Sequence, residues 1–281
     1  MSDDLLTQLK ADRERALKEV EKLDELLAQL GGAQSNEPMT TSLGGFMQER
    51  LLDWEWLFGG VIPTGSTGIL AGDPKSGKST LITQMALCLA AGRDPFYDCH
   101  VSRPGKILYI AAEGARAAYQ NRVRTAAKTL GISITTGEAN RWFIQKKHVS
   151  DYMLGSGGLR RMVAEAKPDL LVLDTLGYFH RGNENDATDW KRHVMHPARA
   201  LTAEHGCSIL FVHHQTKESA ERKGAQRVRG TTAMIGDCDY LLQLDNVPGD
   251  DEKKILSLSL TKYSQTRRWS LKYSAADARF G

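Results

Sequence analysis

Gly72-Asp73-Pro74-Lys75-Ser76-Gly77-Lys78-Ser79 is the stretch that decides the fold of this chain. It fits G-x-x-x-x-G-K-[ST] at every fixed position, follows the apolar segment Ile69-Leu70-Ala71, and precedes a helix-forming run over 80–91 that carries Leu81, Ile82, Met85, Leu87 and Leu89. Strand, glycine-bearing loop and helix in that order make a phosphate-binding loop. Such a loop places backbone N–H groups of the helix start around a β-phosphate, lets the Lys78 ammonium reach β and γ oxygens, and sets the Ser79 hydroxyl to ligate Mg²⁺. Gly72 and Gly77 permit the tight backbone path, and Asp73, Pro74, Lys75, Ser76 and Thr80 complete the predicted binding set.

Outward from that loop, strand and helix signals alternate. Residues 106–111 read as a strand, 115–130 as a helix, 141–145 as a short strand and 159–167 as a helix that Pro168 stops. Leu170-Leu171-Val172-Leu173-Asp174 follows as a buried strand, then a helix over 188–205 and another buried strand over 208–213. This alternation predicts an α/β domain with a mostly parallel sheet flanked by helices. Past residue 240 the pattern changes: 240–244, 255–261 and 268–273 are strand-like with no helix between them, which predicts C-terminal antiparallel strands.

On the other side of the loop, Leu6, Leu9, Arg13, Ala16, Val20, Leu23, Leu27 and Leu30 recur in alternating steps of three and four, the a/d spacing of a coiled-coil seam. Residues 1–32 are therefore an N-terminal amphipathic, coiled-coil-like arm, either self-associating or folded back on its own domain. Gly31-Gly32 ends it, 33–60 form a linker leading into the core, and 61–281 form the main domain. Trp54, Trp56 and Phe58 are expected to pack the front of the core or a neighbouring subunit.

A length of 281 residues suits one α/β domain plus a small appendage. The net charge of +3 permits nucleic-acid binding without demanding it, so where the charge sits must decide. Four cysteines (Cys88, Cys99, Cys207, Cys238) lie far apart with no C-x-x-C pair, the usage of reduced thiols rather than disulfides or a zinc site. The acidic start Met1-Ser2-Asp3-Asp4 and the lack of an apolar run of spanning length lead us to expect a cytoplasmic protein with no membrane partner.

A second constellation surrounds the first. Asp174 closes an apolar strand, the position at which open α/β sheets bind ligands, and it reads as the carboxylate that holds Mg²⁺ through water. Thr175 follows it, so a water-activating carboxylate must come from another strand end, and Glu113, after Leu108-Tyr109-Ile110-Ala111-Ala112, is the source the pattern offers. His213 and His214 end the strand 209–212; because side chains alternate, one points into the sheet and the other, His214, toward the cleft as a sensor of the γ-phosphate. The segment 215–230 is long, polar and basic, and its Lys217, Arg222, Lys223 and Arg227 are candidates to grip single-stranded DNA phosphates.

Residues 72–80, 109–114, 170–180 and 207–215 together resemble the RecA-like ATPases, and within them the RepA-type hexameric replicative helicases of plasmids and related phage ATPases. The likeness covers roughly 61–273. It implies a RecA-like P-loop fold, ATP and Mg²⁺ as cofactors, Glu113 as catalytic glutamate, Asp174 as the Walker B aspartate, and His213-His214 as the matching strand end. It further implies that Arg229, before Gly230, is an arginine finger serving the adjacent subunit of a homo-oligomeric ring, a hexamer, or of a filament. Lys262 and Arg267 resemble the inter-subunit Lys and Arg of such motors, with looser spacing, and the arm has no counterpart in the RepA pattern and is available for replication or recombination proteins. Three functions fit: an oligomeric DNA-dependent ATPase or helicase in replication or recombination, a filament-forming annealing or strand-exchange protein, and an ATP-gated assembly module that does not translocate.

Overall fold

The computed structural model describes residues 40–48, 55–112, 114–135, 137, 141–144, 152–215, 227–228, 230 and 232–281. The chain divides into two units, 1–52 and 53–281. In the first, Leu43–Gln48 forms a short helix, α1; the predicted arm over 1–32 lies outside the described residues, as does Trp54.

The second unit opens with an antiparallel pair, β1 (Trp56–Phe58) and β2 (Ile62–Pro63). Leu57, Phe58, Val61 and Ile62 are fully buried, so Phe58 of the expected aromatic cluster packs the core, while Trp56 is half-buried. Strand β3 (Thr67–Gly72) then runs into α2 (Lys78–Ala91), β4 (Ile107–Ala111) into α3 (Arg116–Leu130), and β5 (Trp142–Ile144) precedes α4 (Gly157–Ala166). Strand β6 (Leu170–Asp174) leads to α5 (Ala187–Trp190) and α6 (His196–His205), and β7 (Ser208–His214) to α7 (Ala233–Asp237). Strands β8 (Tyr240–Val247), β9 (Asp250–Thr261), β10 (Arg267–Ser274) and β11 (Arg279–Phe280) finish the chain.

Among the described residues, nine of these strands form one sheet in the order β11-β10-β9-β8-β3-β7-β6-β4-β5. The run from β8 to β5 is parallel and the run from β8 to β11 antiparallel, which is the predicted α/β class. One detail differs: 240–247 pairs parallel with β3 and belongs to the central sheet, so the antiparallel part begins at β9. The single helix expected over 188–205 is also divided, with a π turn at Lys191–Met195 between α5 and α6. Pro197 explains this, because it lacks an N–H and its ring crowds the carbonyl four residues back, and the wider turn absorbs the misfit.

Alternation along the strands builds a core on each face. Leu70, Tyr109, Val172 and Leu210 pack on one side with α2, β10 and β11, while Ile69, Leu108, Leu171 and Phe211 pack on the other with α4 and α6. Helix α2 is buried nearly all round, which is why Leu81-Ile82-Thr83-Gln84-Met85-Ala86-Leu87 shows no polar stripe. Its buried Gln84 accepts from Phe280 N and donates to Phe280 O, each at 2.7 Å, fastening β11 to the helix behind the phosphate loop. All four cysteines are buried free thiols, and burial pushes Cys88 up to about 12 and Cys207 to about 11. Among the described residues no helix is long and apolar enough to cross a membrane.

Candidate active site

Register brings the chemistry to one edge. Gly72 on β3 is level with His214 on β7, and Asp174 on β6 is level with Val212 on β7 and with Ala111 on β4. The ends of four neighbouring parallel strands thus meet at their carboxyl side, where open α/β sheets take ligands. A cavity of about 300 Å³ opens there, lined by the loop 75–80 together with Asp174, Thr175 and His214. It is flanked by two residues the sequence did not single out, Arg122 from α3 and Tyr273 from β10.

The loop has the form its sequence predicts. Gly77 stands at φ 94° as the N-cap of α2 and makes no side-chain cap, so the first N–H groups of a 14-residue helix face the cavity without an intrachain cap from that residue. A Cβ on Gly77 would lie 3.0 Å from Phe280 and 3.3 Å from Tyr273, so an aromatic wall as well as the left-handed backbone demands glycine. Lys78 Nζ donates to the carbonyls of Gly72 and Asp73, both at 2.9 Å, and is buried. Ser76 is wholly buried, yet its hydroxyl finds no hydrogen-bond partner among the described residues. A buried hydroxyl without a partner is costly, and an uncapped helix start beside it fits a phosphate that supplies acceptors to both.

Asp174 is buried at 7% exposure and accepts a hydrogen bond from Tyr109 Oη on Oδ2 and one from Thr175 Oγ1 at 3.3 Å on Oδ1. Burial, and then the Asp174 carboxylate, hold the Tyr109 phenol well above its usual pKa, so it remains a donor. Among the described residues no group of three or more His, Cys, Asp or Glu surrounds a metal position. One hydroxyl and one carboxylate, Ser79 and Asp174, suit Mg²⁺, which keeps waters and completes its shell with phosphate oxygens. Tyr109→Phe is expected to cost about 1–3 kcal/mol of stability, because it leaves a buried carboxylate oxygen without its donor; urea unfolding of the two proteins measures it.

The histidine pair divides as alternation requires. His213 is 2% exposed with Nε2 3.7 Å from Glu184 Oε2, whereas His214 lines the cavity. Glu184 comes from the acidic loop after β6, and its carbonyl would lie 2.7 Å from a Cβ placed on Gly230. Gly230 stands at φ 106°, so only glycine lets the chain pass there, directly after residue 229.

Glu113 lies outside the described residues, as do Lys217, Arg222, Lys223 and Arg229. The chain is tied to β6 up to the residue before Glu113, since Ala112 N donates to Asp174 O at 2.6 Å. Arg227 departs from its expected role as a DNA-facing cation. It is buried, with Nη2 3.0 Å from Asp73 and Nη1 2.8 Å from Asp245, so two carboxylates of its own chain engage it. Lys262 Nζ lies 3.1 Å from Asp239, and Arg267 donates to Asp98 O at 3.2 Å, so both of these cations contact their own chain.

Residues 33–220 match the AAA domain family AAA_25, well over half of the chain. The DNA repair protein RadA of Brucella abortus (strain 2308) is 25% identical over 187 residues, which is 63% of this chain and 36% of that protein, so the chain spans about a third of that relative's length. Solved structures share the fold as well. The RadB recombinase has a TM-score of 0.54 at 17% identity, covering 77% of this chain and 90% of the other. A DnaB-like replicative helicase, solved with its interactions with primase, gives 0.64 at 10% identity, covering 98% and 75%. With the phosphate loop, the strand-end aspartate and the parallel sheet all in place, the chain belongs to the AAA domain family and carries the P-loop of an ATPase.

Proposed function

We propose that the chain is an oligomeric, ATP-hydrolysing, DNA-binding motor that acts in replication or recombination. The observation that supports this most is the alignment of Gly72, Asp174 and His214 around one cavity at the carboxyl edge of the sheet. MgATP supplies the phosphoryl group when bound. The residues 72–80 would hold the phosphates and Ser79 and Asp174 the metal, and Tyr109 fixes the Asp174 carboxylate through the bond it donates. Glu113 would orient and deprotonate water, and His214, which lines the cavity at the end of the strand that leads into 216–226, would lie beside the phosphates.

Glu113→Gln should keep nucleotide affinity and lower turnover by about 10²–10⁴, the usual yield of a positioned base. Equilibrium binding of an ATP analogue and phosphate release, measured side by side, separate the two effects. Wild-type turnover in this variant would move the base to another carboxylate.

Single-stranded DNA is the partner we assign to Lys217, Arg222 and Lys223, whose backbone contacts would be independent of sequence. Replacing all three with Ala should weaken binding and flatten log K against log salt by about 2, as three fewer neutralised phosphates require. Basal hydrolysis should persist while its stimulation by DNA is lost. Unchanged affinity and slope would favour the ATP-gated assembly module instead. A filament-forming recombinase is the second reading, favoured by the similarity to RadA and RadB, and imaging of the assembly with DNA and an ATP analogue separates ring from filament.

A further inference from the structure

Arg227 stands at the meeting point of three strand ends. Its guanidinium forks between two carboxylates, Nη2 to Asp73 Oδ1 at 3.0 Å and Nη1 to Asp245 Oδ1 at 2.8 Å. Asp73 is the second residue of the phosphate loop, and its carbonyl already receives Lys78 Nζ at 2.9 Å. Asp245 on β8 also accepts from Gln215 Nε2 at 2.7 Å, and Gln215 N reaches Gly72 O at 3.3 Å. Gln215 and Val228 form an antiparallel bridge, so the two flanks of 216–226 lie side by side and both converge on Asp245.

Two facts decide what this arrangement does. The side chain of Arg227 is 9% exposed and that of Asp73 25%, so their attraction is weakly screened by solvent. Asp73 also carries a negative charge beside a loop built to receive a polyphosphate, where an unopposed carboxylate would repel the ligand. We infer that Arg227 is a positioning residue of the nucleotide site: it neutralises Asp73 and ties the phosphate loop, through Asp245 and Gln215, to the flanks of 216–226. A planar fork suits this task, because one ammonium cannot span two separate carboxylates with the same geometry. By linkage, whatever shifts Arg227 from Asp73 changes nucleotide affinity, and bound nucleotide biases the position of Arg227.

The inference rests on the nucleotide reading above, and the test separates the two. A non-hydrolysable fluorescent ATP analogue is titrated with Mg²⁺ into the full chain and into R227M, D73N, the R227M/D73N double variant and K78A. R227M should bind about tenfold more weakly, the scale of removing one charge-assisted hydrogen bond. With D73N as its own baseline, adding R227M should cost no more than about threefold, so the double variant should bind better than R227M. A purely structural role for Arg227 gives no such rescue, since removing a second partner would leave the fold no better. Should R227M fail to fold, R227K takes its place, with a smaller loss that D73N again relieves. Wild-type affinity in R227M, or a double variant no better than R227M, overturns this inference alone. A wild type that does not bind the analogue, or binds it no better than K78A, overturns the nucleotide reading and this inference with it.

Discussion

Lys78→Ala is expected to reduce ATP turnover at least about a thousandfold, to the background of the assay. Phosphoryl transfer offers the protein little covalent chemistry, so the rate depends on charge placed at the β and γ oxygens, and Lys78 is the loop's own cation for that purpose. Removing a single preorganised stabiliser of developing charge costs about 10²–10³ in kcat, and in the site we propose the lost group would also hold the ground-state phosphates. Its ammonium spans the carbonyls of Gly72 and Asp73, so the truncation removes two hydrogen bonds inside the loop. Thermal melting of the variant separates this local effect from loss of fold. Turnover within tenfold of wild type, in a folded variant, would place the reaction elsewhere.

Arg229→Ala is expected to lower turnover by about three to five powers of ten, the worth of a cation inserted beside a transferring phosphoryl group. Residue 229 follows the segment that leaves β7, and Gly230 pins the chain immediately after it against Glu184 and Met234. In the arrangement we propose, the side chain serves the site of a neighbouring subunit, so Arg229→Ala and Lys78→Ala subunits complement one another. Each is inactive alone, and a mixed assembly contains interfaces with an intact Lys78 on one side and an intact Arg229 on the other. Phosphate release should rise to a maximum at intermediate mixing ratios. A flat baseline at every ratio would count against action across a boundary.

Much of the architecture was legible because the parallel strands are short apolar runs between helix-forming segments. Residues 67–72, 107–111, 170–174 and 208–214 declare themselves by composition, and the glycine spacing of the phosphate loop states its geometry outright. The neighbour of Tyr240-Leu241-Leu242 was not legible, because an apolar strand reads alike in parallel and antiparallel company. Its pairing with β3 follows from the crossover through α7, a five-residue helix too short to leave a periodic signal. Arg227 misled for a physical reason: it stands in a basic stretch, whereas its partners are 154 and 18 residues away. Only the fold brings Asp73 and Asp245 to it and converts a surface cation into a buried fork. Tyr273 was similarly hidden, since its place against Gly77 depends on the register of β10 and on its 4.9 Å pairing with Phe280.

Steady-state phosphate release by the wild-type chain, with Mg²⁺ and ATP and with or without single-stranded DNA, is the deciding measurement, and Lys78→Ala sets its baseline. A DNA-coupled motor predicts release above that baseline which single-stranded DNA accelerates. Release no greater than that of Lys78→Ala, with DNA or without it, would mean that the loop 72–80 does not drive ATP hydrolysis.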